Sequence, residues 1–262
     1  MPATSPAPSP GGIPSAATDG FRAVVRFDLD DEAPWRRWAA LVADGLATPF
    51  QSVAVARPLL ARLCPALGTR PFLLEVFDDG VHVLSLALCL RAGAIRRIEF
   101  ADFGLVDLAA PVVRADFDLS GGRAEALRRA VLAALPAHDA LLLAKMPAEV
   151  AGRPNPLAAW PGTVAMNVVT MVYDPATRPV AELSAVKESG RKRRRLARDG
   201  GDIRRVDDTA RARALLDFAF DLRAEKARRD GRHESLDDPA VRDFYREMVA
   251  TGLTDGSVEV WE

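Results

Sequence analysis

Residues 72–90 read FLLEVFDDGVHVLSLALCL, and this stretch decides the fold class. Two apolar runs, 72–77 and 81–90, flank the tripeptide at 78–80, Asp-Asp-Gly. Asp-Gly between two such runs is the strongest short-range signal for a β-hairpin, because glycine readily adopts the positive φ of a tight turn. The sequence therefore predicts two antiparallel strands joined at residues 78–80.

One strand and two helices are predicted before this hairpin. Residues 21–27 place apolar side chains at every second position, which is typical of a half-buried strand. Residues 33–46 carry tryptophan, leucine and valine at helical spacing and predict the first helix. The sequence TPFQ at 48–51 fits a capping box with proline at the first helical position. A second helix is therefore expected from there to about residue 63.

The elements predicted after the hairpin are three strands and one helix. Residues 95–100 can add a third antiparallel strand, and the apolar run 140–144 is expected to form a short buried strand. Between them, the sequence SGG at 120–122 precedes a helix whose leucine and valine side chains share one face. Residues 164–173 resume strand character after a connection rich in proline and glycine.

Pro175 and Pro179 mark a second boundary. The elements predicted beyond it are, in order, a charged helix at 181–198, a strand at 203–206, helices at 209–228 and 238–251, and a strand at 257–261. The order strand, helix, helix, strand thus occurs twice, which favours two structurally similar domains. The expected division is a disordered tail at 1–20, a first domain at 21–178 and a second at 179–262.

Composition narrows the class of protein. With 49% hydrophobic and 27% charged residues and a formal net charge of -1, the chain is typical of a globular protein without overall bias toward nucleic acids or anionic membranes. Its longest apolar stretch, 81–90, is too short to span a bilayer. Cys64 and Cys89 lie in apolar contexts, as buried thiols of a reducing compartment do, so we expect a cytoplasmic protein.

Several chemistries lack their sequence signatures. The three histidines and two cysteines are scattered and show no metal-ligand spacing, so no metal is expected. The sequence contains no Walker loop, no dinucleotide glycine fingerprint and no nucleophile elbow.

Four stretches, in this order and spacing, resemble the CelD-like (cellulose-biosynthesis type) acetyltransferases of the GNAT superfamily, which are related to FemAB transferases with tandem GNAT units. They are TPFQS at 48–52, FADFG at 100–104 with APVV at 110–113, DALLL at 139–143 with NPL at 155–157, and the charged segment 189–198 with Phe244-Tyr245. The resemblance implies an α/β (α+β) fold of the GNAT acyl-CoA N-acyltransferase type. It implies one complete unit followed by a second, truncated unit.

The resemblance also implies an activity. A GNAT-type enzyme transfers an acyl group from acetyl-CoA or another acyl-CoA to an amine or hydroxyl by direct attack in a ternary complex. The implied acceptor is a small molecule or saccharide, such as a polysaccharide or an amino-sugar. Because the expected second unit stops after the strand at 257–261, we expect that strand to lack a following partner and the chain by itself to be inactive.

The basic run at 191–195 is the sharpest charge feature of the sequence. Arg193 and Arg194 are candidate ligands for the phosphates of CoA, since guanidinium groups bind phosphate in bidentate fashion. The alternative interpretation is a solvated helix face in a chain whose basic residues are almost all arginine. No aromatic residues are interleaved with the run, which makes a nucleic-acid partner less favoured.

Gly121 and Gly122 are candidates for binding the pyrophosphate of CoA through free backbone N–H groups at a helix start. They stand where a GNAT unit places its CoA loop. The neighbouring Asp116 and Asp118 would repel a phosphate, and the alternative is a plain turn that starts the helix.

Three further side chains are candidates for the site. Lys226 continues a predicted apolar stripe on its helix and matches a lysine that the resemblance associates with the donor, while its alternative role is to complement the helix C-terminus. Tyr245 is a candidate general acid or, alternatively, a core residue with its hydroxyl at the rim. His233 lies in a polar loop and can titrate near neutral pH.

Two other functions stay open at this point. A FemAB-like aminoacyl transferase would use charged tRNA, and the arginine-rich helix is its motivating feature. A binding module built on degenerate GNAT units would need no catalysis, and the weak glycine motif at 120–122 favours it.

Overall fold

The computed structural model describes residues 15–18, 20–120, 122–166, 179–232 and 235–262. The chain divides into two compact units. The first contains residues up to 163 together with 238–244, and the second contains 164–237 and 245–262. Residues 167–178 lie outside the described residues. The domain boundary expected at 178/179 falls at the end of this stretch, and most of the strand expected at 164–173 falls within it.

A seven-stranded sheet forms the centre of the first unit. Its strands are β1 (Ser15–Thr18), β2 (Phe21–Arg26), β3 (Arg70–Asp78), β4 (Val81–Arg91), β5 (Arg97–Phe100), β6 (Val112–Val113) and β7 (Ala140–Leu142). The order is β1-β2-β3-β4-β5-β7, and β6 also pairs with β4. Only β5 and β7 run parallel among these pairs. A separate two-stranded ribbon joins β8 (Glu149–Val150) and β9 (Arg153–Pro154).

The predicted hairpin is confirmed. Strands β3 and β4 pair antiparallel, with Asp78 opposite Val81 at the turn. Asp79 has φ 47° and Gly80 has φ 85°, so both central residues adopt the left-handed conformation that a two-residue hairpin turn requires. The register shifts by one residue near Val76, which marks a β-bulge in this otherwise regular pair.

Helices cover both faces of the sheet. Helix α4 (Arg123–Ala134) packs its alanine, leucine and valine side chains against Phe72 and Leu74 on one face. On the other face, Leu73 and Cys89 contact the tryptophans of α1 (Glu32–Asp44). Successive strand residues point to opposite faces, so a strand buried on both sides is apolar at nearly every position. This burial explains why residues 72–90 form a nearly continuous apolar run.

The second predicted helix is also confirmed, and it extends to Ala66. It begins with a single 3-10 turn, Pro49–Gln51, in which Thr48 and Gln51 form the predicted capping box. It continues as α2 (Val53–Pro58), a π-type turn (Leu59–Leu63) and α3 (Cys64–Ala66). Pro58 has no backbone N–H, and the π-type turn follows directly after it.

Gly45 ends α1 at a point of very close backbone contact. Leu46, the next residue, exchanges two backbone hydrogen bonds with Val113, of 2.6 and 3.0 Å. A Cβ atom at residue 45 would lie 2.3 Å from the carbonyl oxygen of Leu41 and 2.5 Å from that of Val113. Only glycine therefore fits between α1 and β6 without moving one of them.

Two expectations about the first unit need correction. The strand at 140–144 exists as β7, but it is not buried: Leu142 is 49% exposed because β7 is the last of the described strands at that edge of the sheet. The described end of the expected tail, Ser15–Thr18, forms strand β1 paired with β2. Residues 1–14 lie outside the described residues.

The second unit contains the helices and strands predicted for it. They are α5 (Ser184–Arg198), β10 (Arg205–Val206), α6 (Thr209–Arg229), α7 (Pro239–Asp255) and β11 (Val260–Trp261), with the first turns of α7 counted in the first unit. β11 pairs antiparallel with β10, and Arg204 and Glu262 extend the pair by two backbone hydrogen bonds of 3.0 Å. The strand expected at 257–261 to lack a following partner thus pairs with the preceding strand β10.

The apolar stripe predicted for α6, which is Leu215, Ala219 and Leu222, is wrong at two of its three positions: Leu215 packs against the core of the second unit, but Ala219 and Leu222 are exposed. The residues buried on this helix are Ala212, Phe220, Ala224 and Ala227. Leu222, expected to face the core, is 50% exposed. Alanine allows close packing, and the structure buries the face with small side chains rather than the face with Leu222.

The two cysteines are neighbours, although 25 residues separate them in the sequence. Cys64 and Cys89 are both buried in the cluster around Trp35 and Trp38. A hydrogen bond with Cys89, together with burial, raises the pKa of the Cys64 thiol. We therefore expect the folded protein to react negligibly with a thiol reagent at neutral pH and to expose two reactive thiols per chain after unfolding in denaturant. Rapid labelling without denaturant would contradict this packing.

Candidate functional site

Gln51 joins two of the stretches that carry the resemblance. Its side chain is 6% exposed, its Oε1 accepts hydrogen bonds from the Thr48 backbone N–H (3.0 Å) and hydroxyl (2.6 Å), and its Nε2 donates to the Leu108 carbonyl (3.1 Å). The indole N–H of Trp38 donates to the Gln51 carbonyl at 2.8 Å. Both the oxygen and the nitrogen of the Gln51 side-chain amide are therefore hydrogen-bonded within the protein. These bonds fix the 48–51 turn against the loop before β6.

A small cavity lies beside this junction, lined by Phe50, Phe100, Ala101, Asp102 and Ala109 among others. Its volume is about 30 Å³. That is about the share of one water molecule in the liquid, so the cavity has no room for a substrate. The contacts among these stretches therefore fix the loops of the first unit.

The loop after β5 is held by a lysine that sequence reasoning did not select. Lys145 Nζ lies 2.9 Å from Asp102 Oδ2 and donates to the Val106 carbonyl at 2.9 Å. Lys145 (φ 59°) and Phe103 (φ 45°) both adopt the left-handed conformation, which is strained for residues other than glycine. The available signal was that Lys145 is one of only four lysines in an arginine-rich chain.

A polar cleft opens on the α1 side of the sheet. It has a volume of about 490 Å³ and is lined by Arg37, His82, Arg114 and Asp116 together with parts of α1. Arg114 and Asp116 pair with each other through two hydrogen bonds. The cleft is large enough for a small organic molecule.

Beneath the cleft, Glu75 is buried with 1% exposure. Arg37 binds both of its oxygens, at 2.7 and 2.9 Å, and Arg26 Nε donates to Oε2 at 3.0 Å. Burial disfavours the carboxylate, but the hydrogen bonds from Arg37 and Arg26 outweigh burial and lower the pKa of Glu75. Glu75 is therefore ionised at neutral pH and fixes Arg37 at the wall of the cleft.

His82 lies at the same wall as a neutral imidazole. Its Nε2 is 2.8 Å from the hydroxyl of Ser85, which is buried. Burial lowers the pKa of His82, and the Arg37 charge adds to this effect, while Glu75 opposes it. Since Ser85 is only 1% exposed, its hydroxyl is not available to attack a substrate.

The start of α4 is closed by protein groups. Asp118 accepts hydrogen bonds from the backbone N–H and hydroxyl of Ser120, at 3.0 and 2.6 Å. Gly122 caps the helix with φ 87°, and Arg123 binds the Asp78 carboxylate. Gly121 lies outside the described residues. Pyrophosphate binding by Gly121 and Gly122 stays a prediction.

The other predicted site residues lie in the second unit. Arg193 and Arg194 are exposed on α5, and Lys226 is exposed on α6 rather than facing its core side. Tyr245 packs on the buried ring of Phe220, with 5.8 Å between centroids.

Arg193 and Arg194 lie on α5, Lys226 lies on α6 and Tyr245 lies on α7, so three different helices carry these four residues. His233 lies outside the described residues. The roles of these five residues stay predictions.

Two kinds of feature are absent from the described residues. No group of three or more histidine, cysteine, aspartate or glutamate side chains among them could hold a metal ion. None of their helices is long and apolar enough to cross a membrane.

Comparison with known proteins adds one match. Residues 184–262 match the family model described as an acetyltransferase (GNAT) domain. The match begins with the first residue of α5 and ends just after β11. No curated protein and no solved structure matches the chain. The mixed α/β protein therefore contains, at 184–262, a region similar to GNAT acetyltransferase domains, and this similarity supports acyl-CoA-dependent acyl transfer as its general activity.

Proposed function

We propose that the protein is a CelD-like acyltransferase that moves an acetyl or other acyl group from CoA to a polysaccharide or amino-sugar. The observation that carries this proposal is the match of residues 184–262 to the GNAT acetyltransferase domain. The first unit supports a tandem arrangement, because, apart from the additional short strands β1, β6, β8 and β9, its order of strand, two helices, three strands, helix and strand is the one the resemblance implies. Helix α4 lies between β5 and β7 in the chain, and these two strands pair in parallel.

The proposed reaction needs no covalent enzyme intermediate. A hydroxyl or amine of the acceptor attacks the thioester carbonyl, a C–O or C–N bond forms, and the C–S bond breaks. The acceptor loses a proton and CoA leaves as its thiol, so the protein must position both substrates and move one proton. Tyr245 and His233 are the groups proposed for that proton. In the second unit the donor phosphates are assigned to Arg193, Arg194 and Lys226, and Gly121 and Gly122 of the first unit are a separate candidate for phosphate binding.

Thermal unfolding with CoA thioesters tests the proposal. Acetyl-CoA and longer acyl-CoA compounds should raise the Tm, since a ligand that binds only the folded state stabilises it. Release of free CoA thiol in the presence of amino-sugars or oligosaccharides then identifies the acceptor. An unchanged Tm with every thioester, together with no thiol release, would remove the proposed function.

The donor assignment makes a separate prediction. The double replacement of Arg193 and Arg194 by glutamine should weaken CoA binding by about 10- to 100-fold, since each hydrogen bond to a charged group contributes about 1.5 to 3 kcal/mol and some are replaced by water. Both side chains are exposed, so the Tm without ligand should not change. Isothermal titration measures the affinity, and Arg213→Gln on α6, also exposed, is the matched control. Equal affinity in both variants would place the donor elsewhere.

A further inference from the structure

Helix α5 concentrates positive charge on a surface that the described residues leave exposed. Its 15 residues include seven lysines and arginines and a single acid, Glu188. None of its described residues is buried, and all of them except Gly190 are exposed. These charges therefore contribute no packing to the second unit.

Most of these charges also lack partners. Lys192 lies 3.0 Å from Glu188, and Arg195 lies 3.8 Å from Asp199. Arg191 and Arg198 make no ion pair with any described residue, as is true of Arg193 and Arg194. Like charges three and four residues apart destabilise a helix, and an anionic partner would offset this repulsion.

Branched apolar side chains are exposed on and beside the same helix. Val186 on α5 is 41% exposed and Leu196 is 39% exposed. Val180, just before the helix, is 52% exposed, and Ile203, after it, is 43% exposed. A phosphodiester polymer would bind the arginines and leave these side chains in water. The boundary between headgroups and acyl chains of a bilayer can accommodate both kinds of side chain, because arginine and lysine extend their charged ends toward the headgroups.

We infer that α5 is a docking helix for an anionic phospholipid surface, with Arg191, Arg195 and Arg198 on lipid phosphates and Val186 and Leu196 at the acyl boundary. Clusters of four to eight basic residues on an amphipathic helix are typical of such binding. The interaction goes beyond acyl transfer and does not depend on it. It is peripheral, and ionic strength controls it.

Cosedimentation of the full chain with vesicles tests this inference. The protein should sediment with vesicles that mix phosphatidylglycerol into phosphatidylcholine and remain in solution with phosphatidylcholine alone. Raising the salt from about 0.1 M to about 1 M shortens the Debye length from about 10 Å to about 3 Å and should release it. Equal binding to both kinds of vesicle, or none to the anionic kind, would overturn the inference.

Two variants locate the surface on α5. The triple replacement of Arg191, Arg195 and Arg198 by glutamine should weaken binding to anionic vesicles by about 5-fold for each arginine and about 100-fold in all. Val186→Ser leaves the net charge unchanged and should weaken it by about 10-fold. All four residues are exposed, so the circular dichroism spectrum and the Tm of both variants should match those of the parent.

A control variant that loses three positive charges outside α5 tests whether vesicle binding depends on the α5 surface or only on the net charge of the protein. Arg36, Arg97 and Arg213 are exposed arginines outside α5, and their triple replacement by glutamine should leave vesicle binding within about 3-fold of the parent, since they do not belong to the proposed docking helix. An equal loss in this control would refute a specific surface. Salt-sensitive binding of tRNA that depends on Arg191, Arg195 and Arg198, without binding to anionic vesicles, would assign α5 to nucleic acid and overturn the proposal.

Discussion

Replacement of Trp38 by alanine is expected to lower the free energy of unfolding by about 3 to 5 kcal/mol. Trp38 is 1% exposed and is among the largest fully buried side chains of the described residues. It packs beside Trp35, with 6.2 Å between ring centroids, in the cluster that fixes α1 on the sheet. Its indole N–H also donates to the Gln51 carbonyl, so the change removes both a large apolar volume and a buried hydrogen bond.

Denaturation in urea measures this loss, and Trp38→Phe serves as the graded control. Phenylalanine keeps most of the apolar volume and loses the hydrogen bond, so about 1 to 3 kcal/mol should be lost instead. If the alanine variant unfolds within about 1 kcal/mol of the parent, α1 is not packed on the sheet as described here.

Glu75→Gln should have the second large effect, a loss of about 2 to 4 kcal/mol in unfolding free energy. Glutamine has nearly the same shape but no charge, so Arg26 and Arg37 lose the carboxylate that neutralises them. Breaking a buried pair by removing one partner costs about 3 to 5 kcal/mol. The loss of unfolding free energy expected for Glu75→Gln is smaller than this general value, because Arg26 and Arg37 are both partly exposed and can turn toward water.

The pH dependence gives this prediction a distinct signature. The pKa of Glu75 is lower in the folded state than its ordinary value of 4.5, so the unfolded state binds the proton first. The contribution of Glu75 to stability is therefore complete above the unfolded pKa and is lost as the pH falls through the folded pKa. When the pH falls below about 4.5, the unfolding free energy of the Glu75→Gln variant should therefore decrease less than that of the parent. If the unfolding free energies of the variant and the parent depend on pH in the same way, Glu75 does not carry this charge in the folded state.

A matched control is Glu32→Gln. Glu32 also pairs with an arginine, Arg57, but its side chain is 59% exposed. Exposed ion pairs contribute little to stability, so unfolding of this variant should resemble that of the parent.

The sequence predicted those parts of the fold that local signals determine. The turn at Asp79 and Gly80 follows from two adjacent residues, and the capping box of Thr48 and Gln51 follows from residues three apart. Tertiary packing decided the rest. The capping-box glutamine also binds the Leu108 carbonyl, 57 residues away, and no local pattern predicts that contact.

The errors have the same origin. Helix α6 has apolar side chains on more than one face, and packing buried Phe220 and its alanine neighbours while leaving Leu222 in solvent. The strand Val260–Trp261 found its partner in Arg205–Val206, more than 50 residues earlier. Only long-range contacts could have revealed either result.

The candidate site was less predictable than the fold. The arginines of α5 are visible in the sequence as a charge run, and the structure places them on an exposed helix. The cleft above Glu75 could not be predicted, since it combines residues from α1, β4 and the segment after β6. Its signal was a single glutamate within an apolar strand, because a buried carboxylate requires charged partners.

The contact at Gly45 limits how this sequence can diverge. Every other amino acid would bring a Cβ within 2.5 Å of two carbonyl oxygens, those of Leu41 and Val113. Both oxygens belong to the backbone and cannot rotate away, unlike the end of a long side chain. Any single substitution of Gly45 should therefore destabilise the fold. A related sequence could carry another residue at this position only if earlier substitutions had already shifted α1 or β6.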